Sequence, residues 1–156
     1  MGNREQTYGF SSWPAKSAVV KGDIPVNCRL DARQGLLHMV RYAMPYPKSY
    51  EDVYQAEGDK DIRISVKVIN CASYTEAKKQ LMQDLLACSA YSLPRVTDQI
   101  AEGTYDVAYC AADNSARAIS AVRGNAVIHI HNIGIRDMDL SPVYQAFEEE
   151  ILSRTS

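Results

Sequence analysis

A two-residue turn between alternating apolar residues constrains the fold of this chain more than any other feature. The turn is Gly124-Asn125 in the stretch AVRGNAVIHIH, and both residue types tolerate the positive φ values of tight hairpins. Counting outward from the turn pairs Ser120 with His129. Because strand side chains alternate between faces, we expect the two histidines on one face. The opposite face then carries the apolar set Ile119, Ala121, Ile128 and Ile130, which we expect to lie under the helices.

Other patterns in the second half of the chain predict one strand and one long helix ahead of this hairpin. The stretch IRISVKVI, Ile62–Ile69, alternates and is rich in β-branched residues, which predicts a strand. Ser73-Tyr-Thr-Glu76 has the form of a capping box. The helix that follows it carries one apolar stripe and ends before Pro94. The stripe consists of Ala77, Leu81, Leu85 and Cys88.

A meander and a last helix complete the predicted order. We expect short strands near residues 104–112, 116–123 and 126–133, and a terminal helix that begins at Ser141-Pro142. Its buried stripe is Val143, Phe147 and Ile151. Upstream, Gly35–Ala43 is a predicted strand, Ser49–Ala56 a predicted short helix, and residues 1–25 are expected to be irregular.

This order predicts an α+β fold, in which an antiparallel sheet has its helices packed on one face and a C-terminal β-meander precedes a terminal helix. The chain has 156 residues, enough for one domain. We expect a partly irregular N-terminal arm at residues 1–34 and a single α+β domain at residues 35–156.

The stretch AVRGNAVIHIHNIG, an Arg-Gly-Asn hairpin ahead of a terminal amphipathic helix, resembles small exported bacterial domains of the PsbP/Mog1-like kind. These include lipoproteins and sensor domains. The resemblance covers residues 35–154 and rests on the hairpin and the element order. Such domains mostly bind or scaffold and share no catalytic residues, so the resemblance implies an exported binding domain and no particular site residue.

The pair His129 and His131 allows three interpretations. Two imidazoles on one strand face can converge on a metal ion, and His38 is then the candidate third ligand of a zinc site. Proton-transfer catalysis is a second interpretation. We favour the third, a partly solvated sheet face that also carries Tyr109 if the preceding turn keeps parity. On that interpretation His129→Ala costs little stability, whereas Ile128→Asp places a charge in the core and unfolds the domain.

Four tyrosines recur at a spacing of four residues: Tyr42, Tyr46, Tyr50 and Tyr54. Pro45 and Pro47 exclude one helix through all of them. We expect Tyr42 at the end of a strand, Tyr46 in a loop, and the last two on one face of the short helix. Tyrosines on a proline-stiffened loop suit the recognition of a partner. The alternative is that they pack over the sheet edge.

The cysteines leave the cellular compartment open. Cys28, Cys71, Cys88 and Cys110 include no C-x-x-C motif, which argues against a zinc ribbon. Four cysteines permit two disulfides in any of three pairings, as would suit an exported protein. The alternative is four buried, reduced thiols. We expect a periplasmic or secreted location rather than a cytoplasmic one.

Composition and missing motifs favour a binding function without a cofactor. The net charge of −2 argues against nucleic-acid binding, and no apolar run is long enough to span a membrane. The sequence contains no P-loop, G-x-S-x-G or H-E-x-x-H motif. We therefore expect a non-enzymatic domain that recognises a protein partner or small ligand, with an immunity or inhibitor protein as one concrete form. The residues expected to bind this ligand or partner are the four tyrosines of residues 42–54 and the sheet-face residues Tyr109, His129 and His131. The alternatives are a small metal-binding protein and a homodimer that buries the histidine face.

Overall fold

A computed structural model describes residues 6–11, 23–30, 34–88, 91 and 94–155. In these ranges the strands are β1 (Gln6–Ser11), β2 (Leu36–Ala43), β3 (Tyr50–Ala56), β4 (Asp59–Asn70), β5 (Val107–Ala112), β6 (Ser115–Arg123) and β7 (Ala126–Asn132). The helices are α1 (Tyr74–Ala87), α2 (Pro94–Glu102) and α3 (Ser141–Thr155).

The described strands form one antiparallel sheet in the order β1-β5-β6-β7-β4-β3-β2. The predicted α+β class, the C-terminal meander and the terminal helix are therefore confirmed. The predicted hairpin register is also confirmed, because Ser120 pairs with His129 and Ala118 with His131. Gly124 supplies the positive φ of the turn, at 57°.

Helices cover both faces of the sheet, which corrects the expectation of a single helical layer. On one face, here the α3 face, Ile128 and Ile130 pack with Phe147 of α3. On the other, here the α1 face, Val122 and Val127 pack with Leu81 of α1, and α2 joins the same cluster. Because both faces of the hairpin carry apolar residues beside the turn, each face needs a helix to exclude water.

The predicted helix at Ser49–Ala56 is wrong, because this segment forms β3. Tyr50, Asp52 and Tyr54 are buried while the residues between them are partly exposed, which is the two-residue period of a strand. The two tyrosines do share a face, since residues four apart share a face in a strand as well as in a helix. Their pairing to β4 outweighs any local helical preference.

Two described elements were not predicted. Helix α2 begins at Pro94, which is expected from the sequence only as the stop of the helix before it, although proline is also favoured in the first turn of a helix. Strand β1 lies in the region expected to be irregular and extends the sheet beside β5. Of that region, residues 1–5 and 12–22 lie outside the described residues.

A bulge in β6 reverses the faces predicted for β5. The Asp113–Asn114 turn pairs Ala111 with Ala116, but the next pair is Cys110 with Ala118, so Arg117 is an extra residue. The shift by one residue turns Tyr109 away from the histidines and onto the α3 face, opposite Ile119. The expectation that Tyr109 shares the histidine face is therefore wrong.

Candidate functional site

A line of hydrogen bonds joins the histidine face of the sheet to α1. Ser120 Oγ lies 2.6 Å from His129 Nδ1, and His129 Nε2 lies 2.7 Å from Asp84 Oδ2 on α1. Gln80, one turn earlier on α1, donates to the other Asp84 oxygen at 2.7 Å. His129 is only 8% exposed. The expectation that this histidine is solvated is therefore wrong, because α1 covers it and supplies its partner.

Although these three residue types also form hydrolytic triads, their order here does not suit nucleophilic catalysis. Ser120 is 1% exposed and lies behind the imidazole, so a substrate cannot reach its hydroxyl. Asp84, whose side chain is 27% exposed, occupies the accessible end of the line. A triad needs the opposite order, with the hydroxyl at the substrate and the carboxylate behind the histidine. The line positions α1 on the sheet instead.

His131 lies beside His129, with ring centroids 5.7 Å apart. Its Nε2 is buried and has no hydrogen-bond partner among the residues that the structure describes. Burial, and then the nearby His129 and Lys67, lower the pKa of His131 to about 4. The imidazole is therefore neutral at physiological pH, since the ordinary pKa of a histidine is about 6.5.

Beside these histidines lies a cavity of about 330 Å³, here called the α1 cleft. Its polar residues are Lys67, Gln80, Asp84, His129 and His131, and Tyr46, Met44, Ile69, Ala87 and Cys88 complete the lining. Tyr46 is 44% exposed and comes from the proline-containing loop between β2 and β3. A second cavity, of about 670 Å³, shares Tyr46 and Gln80 and continues the groove along α1. The cleft thus combines an aromatic loop residue with a partly buried polar floor.

A cavity of about 430 Å³ also lies on the α3 face, beside Tyr109 and Tyr144. None of the described residues that line it carries a formal charge at neutral pH. Ligand sites combine apolar walls with a few polar groups that fix orientation, often ones with perturbed pKa values. The α1 cleft has such groups, so we regard it as the candidate site despite its smaller volume.

The structure brings together three of the seven residues predicted to bind a ligand or partner: Tyr46, His129 and His131. Tyr42 is 54% exposed on the edge strand β2, outside the lining of the cleft. Tyr50 and Tyr54 are 2% and 0% exposed and belong to the core. Their predicted recognition role is wrong because no partner can reach their side chains.

The predicted metal set of His38, His129 and His131 does not form. His38 lies on β2, three strands from β7, and its ring packs on Tyr54 on the α3 face. Its Nε2 is 2.9 Å from Asp52. No group of three or more histidine, cysteine or acidic residues suited to hold a metal ion occurs in the described part of the chain.

All four cysteines are free thiols, so of the two alternatives left open by the sequence the structure has the reduced thiols and not the disulfides. Cys28 is buried in the α3-face core, where burial raises its pKa to about 11. Cys71, Cys88 and Cys110 belong to the cluster on the α1 face. The sheet therefore separates Cys28 from the other three, and all four act as small apolar residues.

Lys67 and Asp84 are site residues that sequence reasoning missed. Lys67 is the cross-strand neighbour of His129 through the pairing of β4 with β7, which no local pattern reveals. A sequence pattern could have indicated Asp84, because it lies one turn after Gln80 and next to the apolar stripe of the predicted helix. Asp84 would have been identified if α1 had been placed over the histidines.

No protein-family model, curated protein or solved structure matches the chain. Among the described residues, every helix is too short or too polar to cross a membrane. The residues of the α1 cleft themselves are therefore the basis for a function.

Proposed function

We propose that this protein is a non-enzymatic binding domain that holds a small ligand in the α1 cleft. The observation that carries the proposal is that a buried ring nitrogen of His131 without a described partner borders the same cavity as Lys67 and Tyr46. A polar group left unsatisfied in a protein interior costs free energy. A ligand that satisfies it, while covering the aromatic ring of Tyr46, would recover that free energy on binding.

The inaccessible hydroxyl of Ser120 supports binding over hydrolysis. The bacterial, exported character that the PsbP/Mog1-like resemblance implies stays a prediction. Free cysteines remove the disulfide argument for export. An immunity or inhibitor role would use the same surfaces and stays a prediction as well.

The proposal is tested by a melting-temperature screen of small molecules, followed by NMR titration of the ¹⁵N-labelled protein with each hit. A ligand that binds the folded state raises the melting temperature. We expect hits to shift the amide signals of α1 and β7, and Tyr46→Ala to weaken their binding. Tyr42→Ala is the matched control, because this tyrosine is also exposed, at 54% against 44% for Tyr46, but lies outside the cleft. Hits that shift only α3-face signals, or a complete absence of hits, would contradict the proposal.

A second candidate function is self-association through the edge of the sheet. Strand β2 is an edge strand, and its Leu37, Met39 and Tyr42 are 45%, 51% and 54% exposed. An edge with unpaired backbone groups and exposed apolar side chains is a template for pairing with another strand. Light scattering after size-exclusion chromatography should then show a dimer that Met39→Lys disrupts. A monomer at all concentrations would rule out the dimer.

A further inference from the structure

We infer that the ligand of the α1 cleft is a small monocarboxylate whose body is apolar, an inference that depends on the proposed function. The cleft offers Lys67 as a cation for the carboxylate and apolar walls for the rest of the molecule. It also contains one acidic group, Asp84, which disfavours ligands with more negative charge.

Lys67 is the cation. It is partly buried, lines the cleft and forms no ion pair with any carboxylate in the described ranges. Its cross-strand neighbour on the other side is Glu51, but that carboxylate accepts a hydrogen bond from Ser65 at 2.6 Å. A partly buried ammonium group without a partner favours an anionic ligand, because charge-assisted hydrogen bonds are the strong ones.

Asp84 limits the charge that the ligand can carry. Each of its oxygens has a hydrogen-bond partner, Gln80 for one and His129 for the other, and it forms no ion pair with Lys67 in the described structure. The cleft lining has one ammonium group, Lys67, which can pair with one negative charge, whereas a second negative charge on the ligand would lie near the Asp84 carboxylate without a counter-charge of its own. A dianionic phosphate ester would therefore bind more weakly than a monocarboxylate of the same shape.

The remaining walls indicate the body of the ligand. Met44, Ile69 and Ala87 are apolar, and the Tyr46 ring lies at the exposed side. A volume of about 330 Å³ is at the small end of known ligand pockets. One aromatic ring or a short hydrocarbon chain fits these walls, and neutral His131 adds a polar contact without a second positive charge.

The test compares benzoate, benzamide and phenyl phosphate, which share a ring and differ in charge, by calorimetry and by NMR titration at pH 7. We expect benzoate to shift the amide signals of β7 and α1, and benzamide and phenyl phosphate to bind at least about tenfold more weakly. Lys67→Met should weaken benzoate binding about tenfold, and Lys67→Arg should retain most of it. Lys79→Met is the matched control, because Lys79 is exposed on α1 and is absent from the cleft lining.

The outcomes separate the inference from the proposed function. Equal binding of benzamide and benzoate at the cleft, or full affinity in a folded Lys67→Met variant, would overturn the monocarboxylate inference and leave the ligand-binding proposal intact. Phenyl phosphate binding more tightly than benzoate would do the same. If none of these probes, and no hit of the wider screen, perturbed the cleft, both would be overturned.

Discussion

At the scale of single residues, His129 contributes to stability through partners on both sides of its ring. We predict that His129→Ala lowers the free energy of unfolding by about 1–3 kcal/mol, since the Ser120 hydroxyl and the Asp84 carboxylate each lose a partner. This replaces the expectation from sequence that the substitution is nearly neutral. Urea unfolding measures the change. His131→Ala is the control, because its buried Nε2 has no described partner to lose; an equal effect of both substitutions would contradict this role of His129.

Some contacts of single residues could be predicted from the sequence, and others could not. Ser73 caps α1 as predicted, and its side chain accepts a hydrogen bond from the Glu76 amide. Because this contact joins residues only three positions apart, the local sequence is sufficient to predict it. The burial of Tyr50 and Tyr54 depends instead on the segment at residues 24–30, whose Leu30 amide donates to the Tyr54 hydroxyl. Such contacts between distant segments leave no periodic signal.

At the scale of elements, an ion pair with a buried carboxylate and a partly buried guanidinium joins the edge strand β2 to β3. Arg41 donates to both oxygens of the fully buried Asp52 at 2.7 Å, and Arg41 also lies over the Tyr50 ring. Burial acts to raise the pKa of Asp52, but the hydrogen bonds from Arg41 and His38 outweigh it and hold this pKa below its usual value of 3.8. A carboxyl group whose pKa is lower in the folded than in the unfolded state stabilises the protein when the pH is above the pKa of the unfolded state. This stabilisation is lost as the pH falls through the pKa of the folded state.

We therefore predict that wild-type protein loses part of its stability as the pH falls below about 4, and that Asp52→Asn removes this part of the acid dependence. At neutral pH the variant should be less stable by about 3 kcal/mol, because it leaves the Arg41 charge without a countercharge. Urea unfolding from pH 3 to pH 7 measures both effects. Parallel pH profiles of the two proteins would contradict the lowered pKa.

Some features of the strands and helices could also be predicted from the sequence, and others could not. The β6–β7 hairpin and the α3 stripe were predictable because a turn or a period within a few residues defines them. The face on which each β5 side chain lies could not be predicted, because the bulge at Arg117 depends on how β6 pairs with β5. One extra residue reversed the face of Tyr109 and removed it from the candidate site.

At the scale of the whole molecule, the sheet separates a core under α3, which contains one free cysteine, from a core under α1, which has three. We predict that a thiol reductant leaves the melting temperature unchanged. Thiol titration of the unfolded protein should detect four reactive groups for the four cysteines of the sequence. A lower melting temperature with reductant would contradict the free thiols.

The candidate site depends on the covered histidine face, because the α1 cleft exists only if α1 lies over β7. The direct measurement is an NMR titration of the imidazole nitrogens, with His131→Asn to assign the signals. An ordinary histidine titrates near pH 6.5, whereas burial and the neighbouring His129 and Lys67 lower the pKa of His131 to about 4. The prediction is a ring that stays neutral down to about pH 5 and gains its proton near pH 4. A His131 that titrates near pH 6.5 would contradict the covered face, since it would mean that the histidines are open to water.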